Sequence, residues 1–289
     1  MQQDAIQSFI FKHRAIRGVL VRLNNSYETV VMQHHYPSIL GKLLGEALLG
    51  VSLMGSFFKH PGKLTLQFQG QGDLTFLSTR ITADHQIRGF IRANPDLITT
   101  KNLLSALEEG TLTMTYEGLG GAGQTHHSVI PVEEPSIAKA LENYFLRSEQ
   151  LPTRFFLASA DEVAAGMILQ VLPSAHPEGA YIDLEHVSVL AATLSDDELF
   201  TLPFEEIIHR LYPEEDVEIF APREIEFGCN CTMDTMQQAV INLGPTEMTR
   251  ILEEQGFIEV VCEFCGRSYK YEDRDHGFGH DLFQSASLT

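Results

Sequence analysis

Basic residues are scarce in this chain of 289 residues: 20 Lys and Arg stand against 39 Asp and Glu, a formal net charge of −19. A polyanion is repelled by phosphate backbones and anionic lipid, so this balance argues against a general nucleic-acid or membrane binder. Long apolar runs are missing too. The longest, Ile39 to Phe58, is broken by Lys42, Glu46 and several glycines, and no membrane span is expected. Residues 1–14 include Asp4 and lack a basic start followed by a long apolar stretch, so no secretory signal is expected. A cytosolic address follows, where thiols stay reduced. Cysteine itself is sparse, at four residues. These four are therefore read as metal ligands or redox groups, not as structural disulfides. Neither internal repeats nor low-complexity tracts are visible.

What is present is an ordinary globular composition, with 44% hydrophobic and 20% charged residues. The length suits one large domain or two modest ones. The acidity is uneven. Residues 1–177 hold 15 acids and 14 bases. Residues 178–228 hold 14 acids and only Arg210 and Arg223 as bases, a net of −12. Residues 229–289 carry a net of −6. Three parts are expected: a body over 1–177, an acidic helical linker over 178–228, and a cysteine-bearing domain over 229–289. The linker still has apolar residues for helices at about 182–194 and 204–211. Like charges at this density repel, while an apolar stripe favours docking. The charge pattern fits equally an ordinary solvated helix face and an element close to its folding threshold.

Alternation and helical spacing divide the body further. Strands are expected at 5–11 and 16–23, then a helix over 37–58. A meander follows at 63–70, 73–82 and 86–93, then a short helix at 101–109. Strands at 111–117 and 126–132 flank the glycine run 118–123. A second long helix is expected over 135–148, and strands at 153–159 and 165–172 close the body. Without regular βαβ alternation, the fold class is α+β. The glycine run lacks Gly-Lys-Ser/Thr and opens no helix, so it reads as a hairpin loop, not a phosphate cradle.

All four cysteines lie near the C-terminal end: Cys229-Asn230-Cys231, thirty residues, then Cys262-Glu263-Phe264-Cys265. Two close pairs separated by a small helical insert suit a tetrahedral metal. Zn²⁺ takes four thiolates at about 2.3 Å each. The insert reads as helices at 232–243 and 246–255, and 257–261 with 269–271 as a hairpin. Few apolar residues are available here, so the metal is expected to hold the shape. Such a site supplies about 10–16 kcal/mol of apparent folding energy in small peptides. A disulfide closing a loop of three or four residues constrains the chain by only about 2 kcal/mol. The spacing admits a permanent structural ribbon as readily as an oxidisable clamp. A nucleic-acid-binding ribbon is disfavoured by the acidity, and a dithiol enzyme by the lack of a βαβ setting.

Twelve histidines are present. The adjacent pairs His34-His35 and His126-His127 read as surface or helix-end residues. His276 and His280 lie four apart in a polar tail, beside a tetrahedron the sulfurs already complete. No nucleophile–His–acid triad is evident, and the chain is not expected to be an enzyme.

These residues resemble the 33 kDa chaperonin family, the redox-regulated bacterial heat-shock chaperones. The resemblance rests on Cys229-x-Cys231, the spacer with Leu243-Gly244 and Gly256, and Ile258-Glu259-Val260-x-Cys262-Glu263-Phe264-Cys265. In the body it rests on Leu44-Gly45-Glu46-Ala47, Gly62-x-Leu64-x-x-Gln67-x-x-Gly70-x-Gly72, Arg88-Gly89, and Tyr144-Phe145-x-x-Ser148-Glu149-Gln150-Leu151-Pro152-Thr153. It covers nearly the whole chain, in order. The run after the first pair, Thr232-Met233-Asp234-Thr235-Met236, departs from the family in lacking basic residues. Resemblance to this family implies an ATP-independent holdase of the cytoplasmic stress response. One zinc per chain would be bound by Cys229, Cys231, Cys262 and Cys265 in a reduced, inactive monomer. Oxidation would form Cys229–Cys231 and Cys262–Cys265, release the zinc and unfold the linker. The resulting homodimer would bind unfolding client proteins through newly opened apolar surface.

Overall fold

The computed structural model describes residues 4–58, 60–70, 73–94, 110–118, 125–133, 136–173 and 177–272. The expected helix at 101–109, most of the glycine run, His276 and His280 lie outside them. The chain divides into two compact units, 1–228 and 229–289. The fold class is α+β, as the element pattern implied.

Two antiparallel sheets build the first unit. The strands β1 (Ala5–Phe11), β2 (Ile16–Leu23), β8 (Thr153–Ser159) and β9 (Ala164–Val171) form the first sheet, in the order β1-β2-β9-β8. The second contains β3 (Gly62–Gln69), β4 (Leu74–Thr82), β5 (Gln86–Ala93), β6 (Thr111–Gly118) and β7 (Thr125–Pro131), in the order β5-β4-β3-β6-β7. The expected meander is β3-β4-β5. Short strands β10 (Val217–Ile219) and β11 (Arg223–Glu224) join the β1 edge, and β12 (Glu226–Phe227) runs parallel to β5. Residues 217–228 thus tie one sheet to the other. These strands are too short to carry a sequence period.

Between the sheets lies helix α2 (Ser38–Gly55), close to the expected 37–58. Fourteen of its 18 residues are buried, because strands press on it from both sides. It is long and apolar enough to cross a bilayer, yet 78% of it is buried inside the fold. Its hydrophobicity serves the core. Close approach is bought by small residues: a Cβ on Gly45 would lie 2.3 Å from Ser159 Oγ, and one on Gly50 would lie 2.7 Å from Leu141.

Helix α1 (Asn25–His34) has no counterpart among the sequence expectations, and its cap comes from far away. The buried Asp4 carboxylate accepts from the backbone N–H groups of Asn24, Asn25 and Ser26 at 2.5, 3.0 and 2.6 Å. A carboxylate there satisfies orphan donors and complements the helix dipole. The expected long helix at 135–148 is α3 (Ile137–Tyr144) followed by a π-helical turn, Phe145–Glu149.

Residues 178–228 belong to the first unit here. Three helices form where two were expected: α4 (Pro177–Ala191), α5 (Asp196–Thr201) and α6 (Phe204–Leu211). The second starts at a capping box, Ser195 with Glu198. Leu184, Val187, Leu199, Ile207, Ile208 and Leu211 pack on Phe9, Phe11, Leu20, Met167 and Leu169, on the face of the first sheet opposite α2. Ile182 and Val189 remain 71% and 65% exposed. Basic residues of the body offset the acidity. Arg14 donates to Glu215 and Asp183, and Arg154 to Glu185. Arg22 donates to the Leu199 and Leu202 carbonyls at the end of α5.

In the second unit, α7 (Met233–Ile241) and α8 (Pro245–Gln255) precede the hairpin of β13 (Phe257–Val261) and β14 (Ser268–Glu272), close to expectation. Among the described residues its core contains six buried side chains: Val240, Met248, Ile258, Cys262, Tyr269 and Tyr271.

Candidate metal centre

Cys262 and Cys265 sit on the tight turn joining β13 to β14. The Cys265 and Gly266 N–H groups both donate to the Cys262 carbonyl, and the Cys262 N–H donates to the Arg267 carbonyl. Gly266 has φ 64°, a left-handed conformation that glycine adopts without penalty. Cys229 and Cys231 lie on the irregular segment before α7, which Thr232 caps in a capping box with Thr235. Two tyrosines of β14 hold this segment. The Tyr269 hydroxyl donates to the Cys231 carbonyl at 2.9 Å and contacts Cys231 Sγ at 3.1 Å. The Tyr271 hydroxyl donates to the Met233 carbonyl at 2.7 Å. These tyrosines were expected only as hairpin residues. Their alternate positions on one strand face were the available signal.

The four Sγ atoms all lie within 4.8 Å of one another. Cys229 to Cys262 is 3.8 Å and Cys231 to Cys265 is 3.3 Å. A tetrahedron with metal–sulfur bonds of about 2.3 Å has edges of about 3.8 Å. The cluster therefore fits one four-coordinate, thiophilic ion and can hold a metal. Among the described residues it is the one group of three or more such side chains brought together. The histidine pairs are not part of it. His34 ends α1, His35 is its cap, and His126 and His127 are exposed on β7.

Without metal the thiols differ. Burial acts to raise Cys231, but hydrogen bonds from Tyr269 and the neighbouring thiols outweigh it and bring it down to about 7. Burial pushes Cys262 and Cys265 up. A thiolate thus forms at Cys231 near neutral pH, and thiolates are both ligands and nucleophiles.

Fold and centre together define an α+β protein with a four-thiol site on a small C-terminal unit. Residues 4–272 match the family described as Hsp33 protein. The chain is 35% identical over 279 residues to the 33 kDa chaperonin of Pectobacterium atrosepticum, covering 95% of each chain. It is 37% identical over 276 residues to that of Histophilus somni, covering 94% of this chain and 95% of the relative. The solved Thermotoga maritima 33 kDa chaperonin superposes with a TM-score of 0.79 at 24% identity, over 93% of this chain and 95% of that one, a likeness of fold. The chain belongs to the Hsp33 family, and membership supports a chaperone function.

Proposed function

We propose that this protein is an ATP-independent holdase switched by thiol oxidation in the cytoplasm, and not an enzyme. The observation that carries the reading is the convergence of four thiols in a unit whose described residues supply a core of six buried side chains. Zinc held by Cys229, Cys231, Cys262 and Cys265, one ion per chain, would supply a clamp across the thirty-residue spacer. Oxidation within each close pair forms Cys229–Cys231 and Cys262–Cys265. Each bond removes two electrons from a pair of zinc-bound thiolates, and an oxidant such as peroxide accepts them with two protons from solvent to give two waters. The products offer no thiolates, so the ligand set is lost. Two short-range links then replace one long-range clamp, and a core this small does not hold alone.

In this reading the linker, residues 178–228, loosens next. It is the acidic helical layer over an apolar sheet face, and its release uncovers Phe9, Phe11, Leu20, Met167 and Leu169. That face is the proposed client surface, and pairing of two such faces accounts for a dimer in the oxidised state and a monomer in the reduced one. Unfolding proteins are the partners. The charge of −19 favours neither nucleic acid nor anionic membrane.

Zinc release and light scattering by a thermally unfolding client, followed in one sample, test the switch. Peroxide treatment is expected to release one zinc per chain and to suppress client aggregation without nucleotide. Zinc loss with no gain in suppression would defeat the proposal.

A further inference from the structure

The motif from Tyr144 to Thr153 takes no part in the thiol switch, yet its backbone is unusual. The helix widens into the π-helical turn Phe145–Glu149, and Gln150 follows with φ 56°. Both features recur where a chain is shaped around a site. Here they border a cavity of about 610 Å³ in the first unit. That volume falls in the range of small-molecule sites. Its walls combine apolar side chains, Met54, Phe57, Leu64, Met114 and Phe145 among them, with polar ones.

One cation is fixed in this wall. Arg17 projects from β2, half-buried, with its guanidinium 3.6 Å from the centre of the Phe57 ring. Its Nε and Nη2 both donate to Gln170 Oε1, at 3.2 and 2.5 Å. Gln170 is fully buried, and its Nε2 donates to Thr153 Oγ1 at 3.0 Å. The Thr153 hydroxyl in turn donates to the Leu151 carbonyl at 2.9 Å. The motif's own threonine therefore fixes the glutamine that orients the arginine. Among the described residues no carboxylate pairs with Arg17, and Nη1 has no acceptor. Burial lowers its pKa to about 10, so it stays charged at neutral pH. The cavity's acid, Glu149, is exposed and accepts the Tyr144 hydroxyl. A partly desolvated cation without a counter-ion is costly, and an incoming anion offsets that cost.

We propose that this cavity binds a small amphipathic carboxylate, its carboxylate on the open edge of Arg17 and its apolar part among Met54, Met114 and Phe145. The inference does not rest on the redox reading, because binding is read in the reduced, zinc-loaded protein. The test is a titration of the full chain, ¹³C-labelled at methionine methyls, with decanoate and with 1-decanol. Decanoate is expected to shift Met54 and Met114 saturably and to leave Met167, on the opposite face of the first sheet, in place. Decanol should bind about tenfold more weakly, the size of one charge-assisted contact. Arg17→Gln should reduce decanoate to the level of the alcohol, and Met114→Trp should block both. Equal binding of acid and alcohol, shifts confined to Met167, or no saturable shift at millimolar decanoate would overturn the proposal. Should Arg17→Gln fail to fold, the acid–alcohol ratio in the native chain and the Met114→Trp variant still decide it.

Discussion

The two faces of the first sheet are covered in opposite ways. On one face lies α2, with a single acid and a single base and burial on nearly every side. On the other lie α4, α5 and α6, whose inner stripe is apolar and whose outer surface is acidic. Both faces of β2 are apolar in alternation, Val19, Val21 and Leu23 towards α2 and Ile16 and Leu20 towards the acidic layer. A strand buried on both sides needs two covers. Only one of them has a surface that tolerates water on its other side. Helix α2 packs against both sheets, whereas the acidic layer packs on one face of the first sheet alone.

The largest effect is expected from stripping the thiol centre. Chelation or Cys262→Ala should remove stabilisation on the order of 10 kcal/mol from the second unit. Hydrogen exchange should show protection lost over 229–272 and weakened over 178–212, with α2 unchanged. Equal loss in α2 would erase the distinction between the two covers. Next come paired truncations of about 2–5 kcal/mol each. Leu48→Ala on α2 and Ile207→Ala on α6 both empty a fully buried site. The first should lower the melting temperature of the whole first unit. The second should free only the acidic layer and raise holdase activity of the reduced protein.

A smaller, pH-dependent effect joins the covers. Burial, and secondarily Asp196 of α5, pushes the Glu46 carboxyl of α2 from 4.5 up to about 7. The folded chain thus keeps a proton that the unfolded chain releases. This contribution to stability falls as pH rises from about 4.5 through 7 and stays lost above it. Glu46→Gln should flatten that slope and stabilise the protein at pH 8 by about 2–3 kcal/mol, read from denaturant midpoints at pH 5 and pH 8. The smallest effect is expected at the α5 cap. Ser195→Ala should cost about 1 kcal/mol, seen as faster exchange over 196–202 alone.

Much of the architecture was legible in order along the chain. Period-two runs marked β1 to β9, and helical spacing marked α2, because burial imprints a period on each element. The cysteine spacing announced a four-sulfur cluster, since two short turns can converge only if the insert between them is compact. The fall in basic residues beyond 177 marked the acidic layer, though in the structure it packs as part of the first unit. Other features were invisible because their causes lie far off in sequence. The cap of α1 comes from Asp4, about twenty residues upstream. Arg17 is oriented through Gln170 and Thr153, and Cys231 is held by Tyr269.

The chain alone therefore determined most of the longer strands and helices, where charge collects, and that four sulfurs belong together. These follow from local periodicity, composition and spacing. Only the tertiary structure decided which apolar face each helix covers and which polar groups complete one another. Those choices depend on contacts between residues from about twenty to well over a hundred positions apart, whose geometry no local pattern encodes.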